Sequence, residues 1–185
     1  MGILLAFAPF IAFALLQRTL GVLPALAVAA LISLVFTARD AFTPGRHAKI
    51  LEIGSTILFG GLAVGAWATH AEWPILQVRL WVDAGLLFIV LISLVVRRPF
   101  TLGYAREQVP QEYWSSPRFV RTNDIITSAW ALAFAVMVAA DVLMLYLPSV
   151  PLWIGVTATV AALAGAIRFT QWYSQKAGAA AAQGA

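Results

Sequence analysis

Three ionisable side chains stand inside runs that are otherwise apolar: Arg79, Asp83 and Asp141. A charge near mid-membrane costs on the order of 2.5–3.5 kcal/mol even on the lenient insertion scale, so each one needs a physical reason. Arg79 precedes Asp83 by four residues, the spacing that puts two side chains on one face of a helix. Asp83 falls about six residues inside the outer start of its run and Asp141 about six before the outer end of its own, which places both roughly 9 Å below the outer boundary. Together with Arg18 they compose a candidate outward-facing polar cluster for an ion, a proton or a lipid head group. The plainer alternative is a snorkelling arginine and an ion pair between neighbouring helices. Two carboxylates against Arg79 alone leave one negative charge over, so charge balance calls for Arg18 or a proton.

The rest of the inventory is poor in chemistry. The chain has 185 residues, 62% hydrophobic and 11% charged, with two His and no Cys. Thiolate nucleophiles, disulfides and Cys-ligated metals are therefore excluded, and two His do not make a three-His centre. His47 and His70 are expected on opposite sides of a membrane, which rules out joint axial ligation of one haem in a monomer. No nucleophile–base spacing, phosphate-binding loop or HExxH run occurs. The expectation is a protein without catalytic activity and without a cofactor.

The elements that must position these residues follow from hydropathy. A soluble domain is about 45–50% apolar and about 25% charged, so this composition is that of an integral membrane protein. Apolar runs fall at 3–17, 23–37, 53–68, 78–96, 125–147 and 150–167. Roughly 20 residues cross a hydrocarbon core, which leaves the first two runs short unless Leu20–Val22 and their flanks contribute. A re-entrant hairpin is the alternative there. The first run lacks the basic stretch that precedes a signal-peptide core, and reads as a retained helix. Gly21 with Pro24, Pro74, and Pro148 with Pro151 mark tight turns, whereas 38–49 and 97–124 are longer charged links. The expected fold is all-α: six transmembrane helices in three tandem hairpins, one domain over 1–175, with a flexible Ala/Gly tail over 176–185.

Ten of the 12 Lys and Arg residues lie on one side of this arrangement: Arg39, Arg46, Lys49, Arg97, Arg98, Arg106, Arg118, Arg121, Arg168 and Lys176. Only Arg18 and Arg79 lie on the other. The positive-inside rule then puts both termini in the cytoplasm and accounts for the high pI without nucleic acid. Glu52 opens the third run, where a carboxylate suits a helix N-terminus.

Two further patterns carry expectations. The 97–124 link interleaves Arg97, Arg98, Arg106, Arg118 and Arg121 with Phe100, Tyr104, Tyr113, Trp114 and Phe119. Arg and aromatic side chains suit an anionic inner leaflet, so this link is a candidate lipid- or partner-binding surface, and Pro99, Pro110 and Pro117 exclude one continuous helix. Gly60, Gly61 and Gly65 include GxxxG spacing, which predicts close helix packing within the bundle or at a homo-oligomer seam. There is also an internal echo: Leu31-Ile-Ser-Leu-Val35 recurs as Leu91-Ile-Ser-Leu-Val95, each followed by a similar Arg, Phe-Thr and Gly link. It suggests parallel repetition of hairpins.

Over roughly Leu5 to Trp172 the pattern resembles the bacterial intracellular septation protein A (YciB-like) family of inner-membrane proteins. The resemblance is carried by Pro9, Arg18, Phe59-Gly60-Gly61-Leu62, Arg79, Arg97-Arg98-Pro99, Trp130-Ala131 with Phe134, and Leu147-Pro148. It implies a non-enzymatic role in envelope maintenance or cell division, through contacts with membrane-bound division and elongation proteins. The chain departs from the family pattern with Asp83, Asp141, Thr127 and a longer fourth link, so the Asp pair is not something the resemblance implies. A small transporter or channel using Arg79, Asp83 and Asp141, and an accessory subunit of a larger membrane complex, are the competing expectations.

Overall fold

A computed structural model describes residues 3–43, 48–70, 72–147 and 149–182, and these residues form helices and turns with no strand among them. Arg46 and His47 of the first charged link, Pro148 of the last turn and the final three residues of the tail lie outside the described residues.

The chain opens with a 3-10 segment, Ile3–Phe7, leading into α1, Ala8–Leu16. Pro9 sits in the first turn of α1, where its missing N–H breaks no helical bond. At about 1.5 Å per α-helical residue and about 2.0 Å per 3-10 residue, the two pieces end to end reach roughly 24 Å, short of a 30 Å hydrocarbon core. The first apolar run is thus a short apolar helix, and five later helices have the length and composition to cross a membrane.

Those begin with α2, Val22–Phe42, which is entered through Gly21 at φ 85°, a left-handed conformation that glycine adopts without strain. α3 runs Ile50–Thr69 and α4 Ile75–Val95. α2 carries five residues beyond the end of the apolar run, because Ala38–Phe42 continues the helix although it is charged. A short helix α5, Phe100–Arg106, and a 3-10 turn, Gln111–Tyr113, follow. α6 spans 30 residues, Pro117–Tyr146, and α7 spans 31, Leu152–Ala182. The position of each proline in the link agrees with its chemistry: Pro99, Pro110 and Pro117 stand at the starts of three successive elements. Ser116 caps α6 by accepting the Phe119 N–H at 3.4 Å.

α6 and α7 are each about 45 Å long, half as long again as a hydrocarbon core. The first two turns of α6 contain Arg118, Arg121 and Asp124, so this end of the charged link is helix. The expected tail from Lys176 likewise continues α7 as far as Ala182, since its alanines are the strongest helix formers.

The helices gather into two compact units, Met1–Ile89 and Val90–Ala185, with the divide inside α4. In the first, Phe13, Ala25, Leu26, Ala29, Phe59, Ala66, Val78 and Val82 form the core. Phe59 is the hub, meeting Phe10 edge-on at 4.9 Å and Phe13 at 5.9 Å between ring centres. The small residues Ala25, Ala29 and Ala66 belong to the same buried cluster. In the second unit Trp130 lies between Phe100 and Phe134, at 6.4 and 5.6 Å, and donates its indole N–H to Thr170 Oγ1 at 3.0 Å, joining α6 to α7. Leu31, Leu34 and Val35 on α2, Ile57 and Val64 on α3, and Leu132 on α6 face outward. Exposed apolar faces over a core that also holds polar groups are the arrangement hydrocarbon solvates.

Of the three glycines in the GxxxG stretch, only Gly65 is closely packed among the described residues. Among the described residues nothing comes within 4 Å of a Cβ built on Gly60 or Gly61, so these two do not bring helices together within the chain, while one on Gly65 would stand 3.3 Å from the Trp73 ring. The close approaches are at Gly54, where a Cβ would meet Ile89 at 2.8 Å, and at Gly85, where it would collide with Leu58. Gly155 of α7 does the same against Met144 of α6.

The repeated pentamer keeps one role and loses another. Ser33 and Ser93 are both buried and both donate back to their own helix, to Ala29 O at 3.0 Å and Val90 O at 2.7 Å. After Ser33 the helix continues; after Ser93 it ends. Arg97 takes φ 54°, Arg98 N–H returns to Ser93 O at 2.9 Å, and the Ser93 hydroxyl also accepts the Phe100 N–H at 3.2 Å. Pro99 is the local cause, since it disfavours helix in the residue before it.

Candidate functional site

Among the described residues, the largest concentration of buried charge lies where α2 ends and α3 begins. Asp40 is 0% exposed, Lys49 6% and Glu52 5%, with Arg39 at their rim, its side chain 32% exposed. The Lys49 ammonium donates to Asp40 Oδ2 and, at 3.4 Å, to Glu52 Oε1. Arg39 donates from Nε and Nη2 to the other Asp40 oxygen at 3.2 and 2.9 Å, and its guanidinium lies 5.7 Å from the Phe36 ring centre. Two cations and two carboxylates make a formally neutral group, which is what permits it to be buried. One turn deeper, Thr37 and Thr56 share a hydrogen bond at 3.1 Å across the same pair of helices, and Thr56 and Ser55 also donate to Glu52 O and Leu51 O. This arrangement latches α2 to α3 at one end.

Sequence reasoning assigns Arg39 and Lys49 to topology and Glu52 to the helix N-terminus, and passes over Asp40. A usable signal is present: Asp40 stands beside Arg39 at the end of a 21-residue helix, and a second cation across the turn is what makes its complete burial tolerable. That cation is nine residues away in sequence.

Arg18 is exposed in the turn after α1, Arg79 is half-buried in α4, and Asp83 is buried one turn further on. Asp83 lies eight residues into α4, about 12 Å along its axis. Asp141 is fully buried five residues before the end of α6, about 7.5 Å. Each aspartate therefore sits within its own unit, Asp83 in the first and Asp141 in the second.

The Arg and aromatic link separates into two faces. Phe100 and Tyr104 are buried, with Thr101 and Leu102, so they hold α5 to the second unit and are not part of an exposed surface. Thr101 Oγ1 bonds both Asn123 O at 3.1 Å and Thr127 Oγ1 at 2.8 Å, which ties α5 to α6. Arg97, Arg98, Arg106, Tyr113, Arg118 and Arg121 are exposed, and Trp114 is half-buried. Arg106 lies 5.4 Å over the Trp114 ring, whose N–H donates to Val109 O at 2.9 Å. The cations thus stand on a folded platform.

At the far end of α7, Phe169 stacks on Tyr173 at 5.5 Å and Lys176 lies 5.1 Å over Trp172. Aromatic rings beside cations at the end of an apolar helix are what a membrane–water interface favours. Among the described residues no three His, Asp or Glu side chains come together as metal ligands. No family model, curated protein or solved structure matches the chain.

Proposed function

We propose that this chain is a non-enzymatic, multi-pass protein of the bacterial inner membrane, of the septation and envelope-maintenance type, acting through contacts with anionic lipid and with membrane-bound division or elongation proteins. The observation that carries the reading is the exposed arginine set of residues 97–121 on a platform anchored by buried Phe100, Thr101 and Tyr104. An arginine set carried on folded backbone, with Arg106 laid over the Trp114 ring, recognises phosphates or carboxylates with less backbone ordering entropy than a loose basic loop. In this reading the first apolar helix, lengthened by the turn residues that follow it, completes six spans in three hairpins, with both termini and the arginine platform cytoplasmic.

Topology is testable because the chain has no cysteine. Single cysteines at Thr43, Ser115 and Ala177 are expected to react with an impermeant maleimide only after the membrane is opened, and those at Thr19, Glu72 and Ser149 beforehand. The role is tested by purification from native membranes in mild detergent. Recovery of a membrane protein partner that is lost when Arg106, Arg118 and Arg121 become Gln is the expected result. Recovery of a stoichiometric solute and no protein would overturn the reading in favour of transport.

A further inference from the structure

At the end of the first unit remote from the Asp40–Lys49 latch, the start of α2, the end of α3 and the chain entering α4 surround an open cleft of about 420 Å³. Its size falls in the range of small-ligand sites, roughly 300–1,000 Å³. Trp67 and Trp73 line it, with Ala66, Pro24, His70 and Glu72. The two indoles are placed by different means. Trp73 is held from behind: Gly65 leaves room for its ring, and Trp81 meets it edge-on at 4.8 Å and 90°. Trp67 is 66% exposed and packs into no core, so its ring is available to whatever enters.

Charge then decides the class of ligand. Glu72 is the charged member of the lining, and no Lys or Arg accompanies it among the described residues. Indole faces are the best aromatic partners of a cation because of their quadrupole, and a nearby carboxylate adds to the same preference. An anion would meet Glu72, and a neutral apolar guest would desolvate Glu72 and His70 without bonding them. We infer that this cleft binds an organic ammonium group, with Trp67 and Trp73 as its aromatic walls and Glu72 as its counter-charge. The group is carried either by a small free amine or by the head group of an amine-bearing phospholipid.

The intact protein in detergent is titrated with choline and with its uncharged isostere, in which a tert-butyl group replaces trimethylammonium, following tryptophan fluorescence and heat. Choline is expected to bind at least about tenfold more tightly than the isostere, and Glu72→Gln and Trp67→Leu are each expected to weaken it about threefold, since both side chains are exposed. Trp67 is exposed enough for its replacement to leave the fold intact, which the unchanged melting temperature checks. The two sources are separated in nanodiscs: competition by phosphatidylethanolamine against choline, absent with phosphatidylglycerol alone, assigns a head group, and equal choline binding in both assigns a free amine. Equal binding of choline and isostere, no binding of either, or wild-type choline affinity in both variants overturns the inference.

Discussion

Replacing Lys49 with Met removes the cation that faces both Asp40 and Glu52 while keeping most of the apolar stem. The gross attraction to Glu52 at 3.4 Å is about 5 kcal/mol at an effective dielectric near 20. Desolvation of the ammonium opposes this, but removing one partner from a buried group also strands the others, and such losses measure about 3–5 kcal/mol. Because Arg39 is a third exposed and brings water to the rim, the low end applies, about 3 kcal/mol. In a chain of this size each kcal/mol moves the midpoint by about 2–4 °C, so Lys49→Met should unfold roughly 6–12 °C below wild type. Thermal unfolding in detergent, followed by tryptophan fluorescence and circular dichroism, gives the shift. The cycle with Asp40→Asn gives the mechanism: the double variant should be more stable than the two single losses summed, by about 2 kcal/mol, since neutralising both members removes the stranded charge. A shift under about 2 °C, or strict additivity, would refute the latch.

Packing sets the other outcomes. Gly54→Ala should destabilise by about 1–2 kcal/mol because its Cβ would press on the β-branched Ile89. Gly60→Ala and Gly61→Ala should instead stabilise by up to about 1 kcal/mol each through helix propensity; loss of stability together with loss of an oligomer, seen by crosslinking, would contradict this. Thr170→Val strips the Trp130 N–H of its acceptor and should cost about 1–2 kcal/mol in mixed-micelle denaturation, whereas Ser128→Ala on the exposed face of α6 should cost almost nothing. Thr101→Val breaks both the Asn123 and Thr127 bonds and should loosen α5, read as faster hydrogen exchange of residues 100–106 and a loss of about 1–3 kcal/mol.

Features that depend on neighbours along the chain are legible in the sequence. Runs of apolar residues set helix and membrane, Pro99, Pro110 and Pro117 set the starts of elements, and Gly21 sets the reversal before α2, because hydropathy, a missing N–H and a permitted positive φ act within a few residues. The extension of α2 to Phe42 and of α6 back to Pro117 is not legible: charged residues end an apolar run without ending a helix. Nor does spacing tell which aromatic residues of the 97–124 link turn inward. Phe100 and Tyr113 both follow a proline closely in similar polar surroundings, and they differ in what α6 offers them: Phe100 is buried against Trp130, whereas Tyr113 is 53% exposed.

Composition is enough to make this a helical membrane protein without thiol chemistry, because so high an apolar content and so few charges exclude a soluble domain and no cysteine is present. Where the charges and the small residues are put to use depends on how the helices pack. Asp40 and Glu52 become parts of one buried group through Lys49, and Gly54, Gly85 and Gly155, not Gly60 and Gly61, become points of close approach among the described residues. The reason is common to both: a partner across a helix pair is set by the rotation and register of two helices about each other, and neither is written in the local pattern of either one.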